Sequence, residues 1–197
     1  MKLVVGLGNP GRRYAGTRHN VGFRVALRLA EAHGIAIDSK KFSARFGRGK
    51  IGVLDVGVLL PETFMNLSGE SVCEALRLLP VGDPTVDLLV VSDDVDLPFG
   101  RLRLRPGGGA GGHKGLLDIS ERLGRDDFPR LRFGVGRPRH PGQETAAFVL
   151  DGFAQDEEAA LPARLDDAVR AVETFLNDGV KAAMNRWNRD PAAEPPA

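Results

Sequence analysis

Short apolar runs alternate with segments of helical period along almost the whole chain, and that alternation limits the fold more than any other feature. Lys2–Val5 and Val86–Ser92 read as buried strands, the latter around Leu88-Leu89-Val90-Val91. Gly22–His33 repeats apolar residues at Phe23, Ala26, Leu27 and Ala30, with Gly34 as a C-terminal stop. Phe42–Asp55 and Val56–Leu60 are glycine-punctuated strand candidates. Asn66–Leu79 reads as a helix ended by Pro80, and Arg101–Arg105 as a strand with one charged face. A glycine run, Gly107–Gly112, precedes a short helix over Lys114–Leu123, and Leu131–Val135 is a further strand. A short helix over Gln143–Leu150 and a long amphipathic one over Gln155–Leu176 follow. Gly179 breaks the latter, and Val180–Asn188 resumes it. The pattern predicts one α/β domain over residues 1–189, with a twisted, mostly parallel but mixed sheet covered by helices on both faces. The tail, 190–197, reads as disordered.

Composition narrows the function classes. No apolar stretch reaches the roughly 18 residues that a membrane span needs, and no secretory leader is evident at the start. The single Cys73 excludes an internal disulfide and a Cys-rich zinc site, which fits a cytoplasmic setting. Net charge is +1, yet the charges are segregated. Residues 1–50 hold 11 Lys/Arg against 2 Asp/Glu, residues 51–100 hold 1 against 9, and residues 101–140 hold 10 against 4. Residues 151–178 hold 2 against 8. Such blocks either build a basic face for a polyanion or cancel one another in space.

The opening Gly6-Leu7-Gly8-Asn9-Pro10-Gly11 matches the dinucleotide fingerprint G-x-G-x-x-G. A nicotinamide oxidoreductase would need a helix starting within these glycines and an acidic residue about 20 positions on. Pro10 and Gly16 oppose the helix, and the nearest acid, Glu31, lies inside a helical segment. The alternative is a turn at the carboxyl end of a strand, where open α/β sheets place their sites. There Asn9 would offer an amide, and His19 would stand at a loop-to-helix junction.

Other residues extend the chemistry. Asp93, Asp94 and Asp96 follow the strand Val86–Ser92. They suit Mg²⁺, or orientation of a histidine, or merely a solvated turn. No serine fits G-x-S-x-G and no ligand set fits zinc, so a hydrolase of this kind would use water, with His19 as base. The glycine run is not a phosphate loop of the Gly-Lys-Ser/Thr kind, because His113 precedes Lys114 and Gly115 follows it. A helix start there still favours anions. Arg101, Arg103 and Arg105 form either a phosphate-binding wall, extended by Arg130, Arg132, Arg137 and Arg139, or a plain solvent-facing edge. Phe64, Met65 and Asn66 suit contact with a base or peptide, or else are core residues with a helix cap.

Taken together, "VVGLGNPGRRYAGTRHNVG", "PETFMNLSG", "VVSDDVDLPFG", "GGGAGGHKGL" and "RLRFGVGRP" resemble the blocks of bacterial peptidyl-tRNA hydrolase, in order, over residues 1–188. The resemblance implies cleavage of the ester between an N-blocked peptidyl or aminoacyl group and the terminal ribose of tRNA, without metal or cofactor; nothing in the sequence requires an oligomer, so a monomer is the default expectation. It implies that His19 is the general base, that Asp93 orients it, and that Asn9 helps select blocked aminoacyl groups. Tyr14, Phe64 and Asn66 match substrate-contacting positions, Met65 lies between the last two, and Arg103, Arg105 and Arg132 match positions that meet tRNA phosphates. "RPRHPG" and the helix after it resemble the family's lid. One residue departs: Lys114 stands where the family has asparagine. A rival reading keeps the fold as a non-catalytic RNA-binding protein.

Overall fold

The computed structural model describes residues 1–138 and 142–189. Seven strands form one sheet: β1 (Lys2–Gly6), β2 (Ser39–Lys41), β3 (Ala44–Ile51), β4 (Leu54–Pro61), β5 (Leu88–Asp94), β6 (Leu102–Arg105) and β7 (Arg130–Gly134). Their order is β2-β3-β4-β1-β5-β7-β6. The central four, β4-β1-β5-β7, run parallel, while β2, β3 and β6 attach antiparallel at the two sides. The sheet is thus mixed, with its parallel part in the middle. The helices are α1 (Val21–Ala32), α2 (Ser68–Leu78), α3 (Pro84–Asp87), α4 (Lys114–Leu123), α5 (Thr145–Val149) and α6 (Gln155–Trp187).

Alternation along the strands splits the core in two. Val4, Val58, Leu89 and Val91 face α1 and α6, packing on Val25, Leu29, Leu161 and Val172. Leu3, Val5, Leu59 and Val90 face α2 and α4, packing on Val72, Leu116 and Ile119. Successive strand residues point to opposite faces, so a short run with no polar break covers both layers.

Several boundaries differ from the sequence expectation. The Phe42–Asp55 candidate divides into a hairpin. Phe42 (φ 58°) and Ser43 (φ 49°) turn β2 into β3, and Gly52 (φ 58°) turns β3 into β4. The first helix turn after Phe64 is a 3₁₀ turn over Met65–Leu67, so Asn66 does not cap α2. Pro84 opens the one-turn α3, so β5 begins only at Leu88, and the strand runs on through Asp94. Asp93 and Asp94 are therefore the last residues of that strand, not residues after it. Gly179, at φ 82° and ψ 173°, is non-helical and breaks α6 at a kink, after which the helix resumes, as the sequence predicts. The bend carries the last turns across the outer edge of β6. There the Asn188 side chain accepts a hydrogen bond from Leu104 N–H (2.7 Å) and donates one to Leu104 C=O (3.0 Å). The tail and residues 139–141, including Arg139 and the middle of "RPRHPG", lie outside the described residues.

Basic and acidic blocks partly cancel in space. Arg24 and Arg28 on α1 pair with Glu158 and Asp166 on α6 at 3.0 and 2.9 Å. Among the described residues no helix is long and apolar enough to cross a membrane.

Candidate active site

The glycines of the opening motif serve close packing. A Cβ on Gly22 would stand 2.5 Å from the Val91 carbonyl oxygen and 2.6 Å from Leu7 N, and one on Gly8 would stand 2.6 Å from the Phe23 ring. These absences of a side chain let α1 lie directly on β1 and β5. The helix itself starts at Val21, ten residues beyond Gly11. No helix starts within the glycines, as the dinucleotide fingerprint requires; their role is to let the first turn of α1 pack on the end of β1.

Between β1 and α1 the chain makes two 3₁₀ turns, Arg12–Tyr14 and Arg18–Asn20. Asn20 fixes this connection. Its Oδ1 accepts from Asn9 N–H at 2.8 Å, and its Nδ2 donates to Asn9 C=O at 2.9 Å. The Asn9 side chain is thereby aimed across the sheet end, where its Oδ1 accepts Met65 N–H at 2.8 Å. With the oxygen so engaged, the Nδ2 hydrogens are what Asn9 has left to offer. It presents a donor, where the sequence allowed donor and acceptor alike.

His19 projects from the second turn to the carboxyl end of β5, and its Nδ1 meets Asp93 Oδ1 at 2.8 Å. The same carboxylate oxygen receives a second imidazole, His113 Nε2, at 3.0 Å. His113 is the N-cap of α4, and its Nδ1 accepts Leu116 N–H at 3.2 Å. Because a backbone N–H points at Nδ1, the neutral His113 ring carries its proton on Nε2 and donates it to Asp93. The two imidazole centroids lie 5.0 Å apart. In the sequence His113 figures only as part of the glycine run. Its available signal is position: a polar residue just ahead of a helix is a cap, and a cap at a strand end joins the site.

Asp93 is buried at 4% exposure, whereas His19 is partly exposed. Burial alone would push the Asp93 carboxyl up. The facing imidazoles, His113 ahead of His19, outweigh it and hold the group well below the ordinary carboxylate range. A depressed native value contributes stability above the unfolded value of about 4, lost as pH falls toward the native value. Asp93→Asn is therefore expected to unfold more easily than the wild type at neutral pH. The gap should narrow below about pH 4, as urea titrations at several pH values would show.

His19, Asp93 and His113 place one ligand atom each within 4.8 Å of one another, the one such group among the described residues. The hydrogen bonds oppose metal use. With Nδ1 occupied by Leu116 N–H, His113 could ligate through Nε2 only after losing the proton it gives to Asp93. The acidic cluster does not converge on a cation either. Asp94 pairs with Arg132 at 2.9 Å, and Asp96 with Arg137 at 2.5 Å.

The other candidate residues divide. Phe64 is exposed at 58% and Asn66 is exposed too, next to the Met65 that holds Asn9. Met65 is buried, with its Sδ against Gly115, so it supports the site from beneath. Tyr14 is half-buried, with the Arg13 guanidinium 5.7 Å from its ring. Lys114 is exposed at the first position of α4. Arg132 is bound to Asp94 beside Gly111, while Arg103 and Arg105 sit on the edge strand. Arg18 belongs by sequence to the same basic connection as Arg12 and Arg13, yet it is buried at 6% exposure. It pairs with Glu157 at 2.8 Å, donates to the Gly152 carbonyl and lies 4.2 Å from the Phe148 ring.

Comparison with known proteins gives the family. The family model described as peptidyl-tRNA hydrolase matches residues 3–195. The peptidyl-tRNA hydrolase of Chloroflexus aggregans is 49% identical over 189 residues, covering 95% of this chain and 99% of the relative. That of Symbiobacterium thermophilum is also 49% identical, covering 95% and 98%. The crystal structure of peptidyl-tRNA hydrolase from Acinetobacter baumannii superposes with a TM-score of 0.87 at 39% identity, covering 95% of this chain and 94% of that one. The chain belongs to the peptidyl-tRNA hydrolase family.

Proposed function

We propose that this hydrolase cleaves the ester between an N-blocked peptidyl or aminoacyl group and the 3′-terminal ribose of tRNA, with water activated by His19 and Asp93. The observation that carries the reading is the His19 Nδ1 to Asp93 Oδ1 bond of 2.8 Å, which leaves Nε2 of a partly exposed ring for the incoming water. Family membership and the named relatives supply the substrate. Water attacks the ester carbonyl carbon and gives a proton to His19 Nε2. Asp93 favours the imidazolium so formed. The tetrahedral intermediate then collapses, the bond to the ribose oxygen breaks, and the proton passes to that oxygen. The products are a free carboxylic acid and tRNA with its terminal hydroxyl restored. Asn9 Nδ2, the Asn66 amide and the backbone near Gly111 are the donors for the developing oxyanion. The enzyme acts as a cytoplasmic monomer and uses no metal or cofactor.

Turnover of N-acetyl-aminoacyl-tRNA tests the reading, with unblocked aminoacyl-tRNA as the comparison. Failure to cleave the blocked substrate would favour the non-catalytic RNA-binding alternative. Asp93→Asn is expected to cost less than loss of His19, because the base remains and only orientation and charge support are removed. A loss equal to that of His19→Ala would give Asp93 a larger part than positioning.

Lys114 supplies a point charge where the family has an amide, at a helix start that already favours anions. It contacts a phosphate or ribose oxygen at the tRNA 3′ end. Lys114→Glu is expected to raise KM strongly at low salt, where screening is weakest, whereas Lys114→Asn keeps kcat and lessens the salt dependence of KM. A wild-type KM for Lys114→Glu at low salt would remove this lysine from the substrate interface.

A further inference from the structure

A groove of about 1250 Å³ runs between the β6 edge and the C-terminal turns of α6, away from the histidines. Its walls carry Arg103 and Arg105 on one side and Arg186 and Arg189 on the other, with Trp187 between them. The Trp187 indole is half-buried, its Nε1 donating to Thr174 Oγ1 at 3.0 Å, and the Arg186 guanidinium lies 5.6 Å from the ring. The one acidic side chain on the walls, Asp167, is already held by Arg164 and Arg170 at 3.0 and 2.5 Å.

The arginines here are distinguished by being grouped without counter-charges. Arg24, Arg28, Arg48, Arg122 and Arg125 each have a carboxylate partner. Among the described residues, Arg103, Arg105, Arg186 and Arg189 have none, and they are gathered round one groove. Clustered guanidiniums without counter-charges repel one another, and an elongated polyanion relieves that repulsion along its length. Arginine is also suited to phosphate oxygens through its planar fork of donors.

Resting on the proposed function, we infer that the α6 wall, Arg186 and Arg189, holds the phosphate backbone of the RNA substrate opposite Arg103 and Arg105. The groove is then a second binding region, remote from the ester, that grips the body of the tRNA. None of the sequence stretches singled out for the resemblance lies on α6, so α6 contributes arginines that no motif marked.

The test compares full-length N-acetyl-aminoacyl-tRNA with N-acetyl-aminoacyl-adenosine, which keeps the ester and ribose but has no phosphates. The double variant Arg186→Gln/Arg189→Gln is expected to hydrolyse the nucleoside ester as the wild type does. For full-length tRNA its KM should rise, with kcat nearly unchanged. The slope of log KM against log salt should fall by about 0.7–0.9 for each phosphate that is no longer held. Arg186→Lys/Arg189→Lys should restore most of the slope, because the track needs charge; that rescue, together with an unchanged thermal midpoint, separates phosphate binding from misfolding. A double glutamine variant with wild-type KM and salt slope on full-length tRNA overturns the inference and leaves the active-site reading intact. Loss of nucleoside-ester cleavage in that variant also overturns it, since the arginines would then support the fold or the site. A wild type inactive on both substrates removes the proposed function and this inference together.

Discussion

His19→Ala is expected to lose between about 10² and 10⁴ in kcat, the usual contribution of a positioned general base. Folding and tRNA affinity should change little. The ring is partly exposed and makes one strong hydrogen bond, to Asp93, which keeps its second imidazole partner, His113, at 3.0 Å. The buried carboxylate is therefore not stranded when His19 is removed, and the usual penalty for an unpaired buried charge is avoided. Single-turnover hydrolysis of N-acetyl-aminoacyl-tRNA, beside a tRNA-binding titration, separates chemistry from affinity. A variant that kept more than about a tenth of wild-type turnover would contradict a general base of ordinary strength.

Arg18→Met is the substitution expected to cost most in stability, about 3–5 kcal/mol, the range for breaking a buried ion pair from one side. For a chain of this size that corresponds to roughly 6–20 °C in thermal midpoint. The guanidinium side chain is 7% exposed and its Glu157 partner 8%. Removing the arginine would take from the buried Glu157 carboxylate the guanidinium that meets it at 2.8 Å, and from the Phe148 and Phe153 rings the cation that packs on them. Arg18→Met/Glu157→Met should recover much of the loss, because paired apolar groups can replace a buried ion pair at little net cost. Chemical denaturation of the two variants checks both statements. A single variant within about 1 kcal/mol of the wild type would place the pair among those that behave as surface bridges.

Arg18 also shows where sequence reading stops. "RRYAGTRHN" looks like one basic, solvent-facing connection, and Arg12 and Arg13 are indeed exposed. Arg18 is drawn inside by Glu157, which lies 139 residues later in the chain. No local pattern encodes that pairing. The strand ends were legible because backbone sterics act locally: glycine and proline punctuate the chain, and apolar runs must be covered. So Asn9, His19 and Asp93 could be placed at one sheet end from spacing alone. Convergence of two histidines on one carboxylate oxygen was not legible, since it needs the start of α4 to fold back over the end of β5. The three aspartates likewise looked like one cluster. The strand pleat and the following turn instead send Asp93 to the histidines, Asp94 to Arg132 and Asp96 to Arg137. Charge segregation was real in the chain but was partly redistributed by helix packing, α6 against α1, while the arginines beside β6 stayed grouped round one groove.

The Asn188 amide has a consequence beyond holding two elements together. A strand at the margin of a sheet is an open template on which another chain can zip up, the first step toward self-association. By matching both the N–H and the C=O of Leu104, this one side chain imitates the neighbouring strand that β6 lacks. The bend at Gly179 is what brings it there. The last turns of the C-terminal helix thus act as a guard against aggregation, and a chain cut short before Asn188 would keep its histidines and its sheet while leaving that margin open to its own copies.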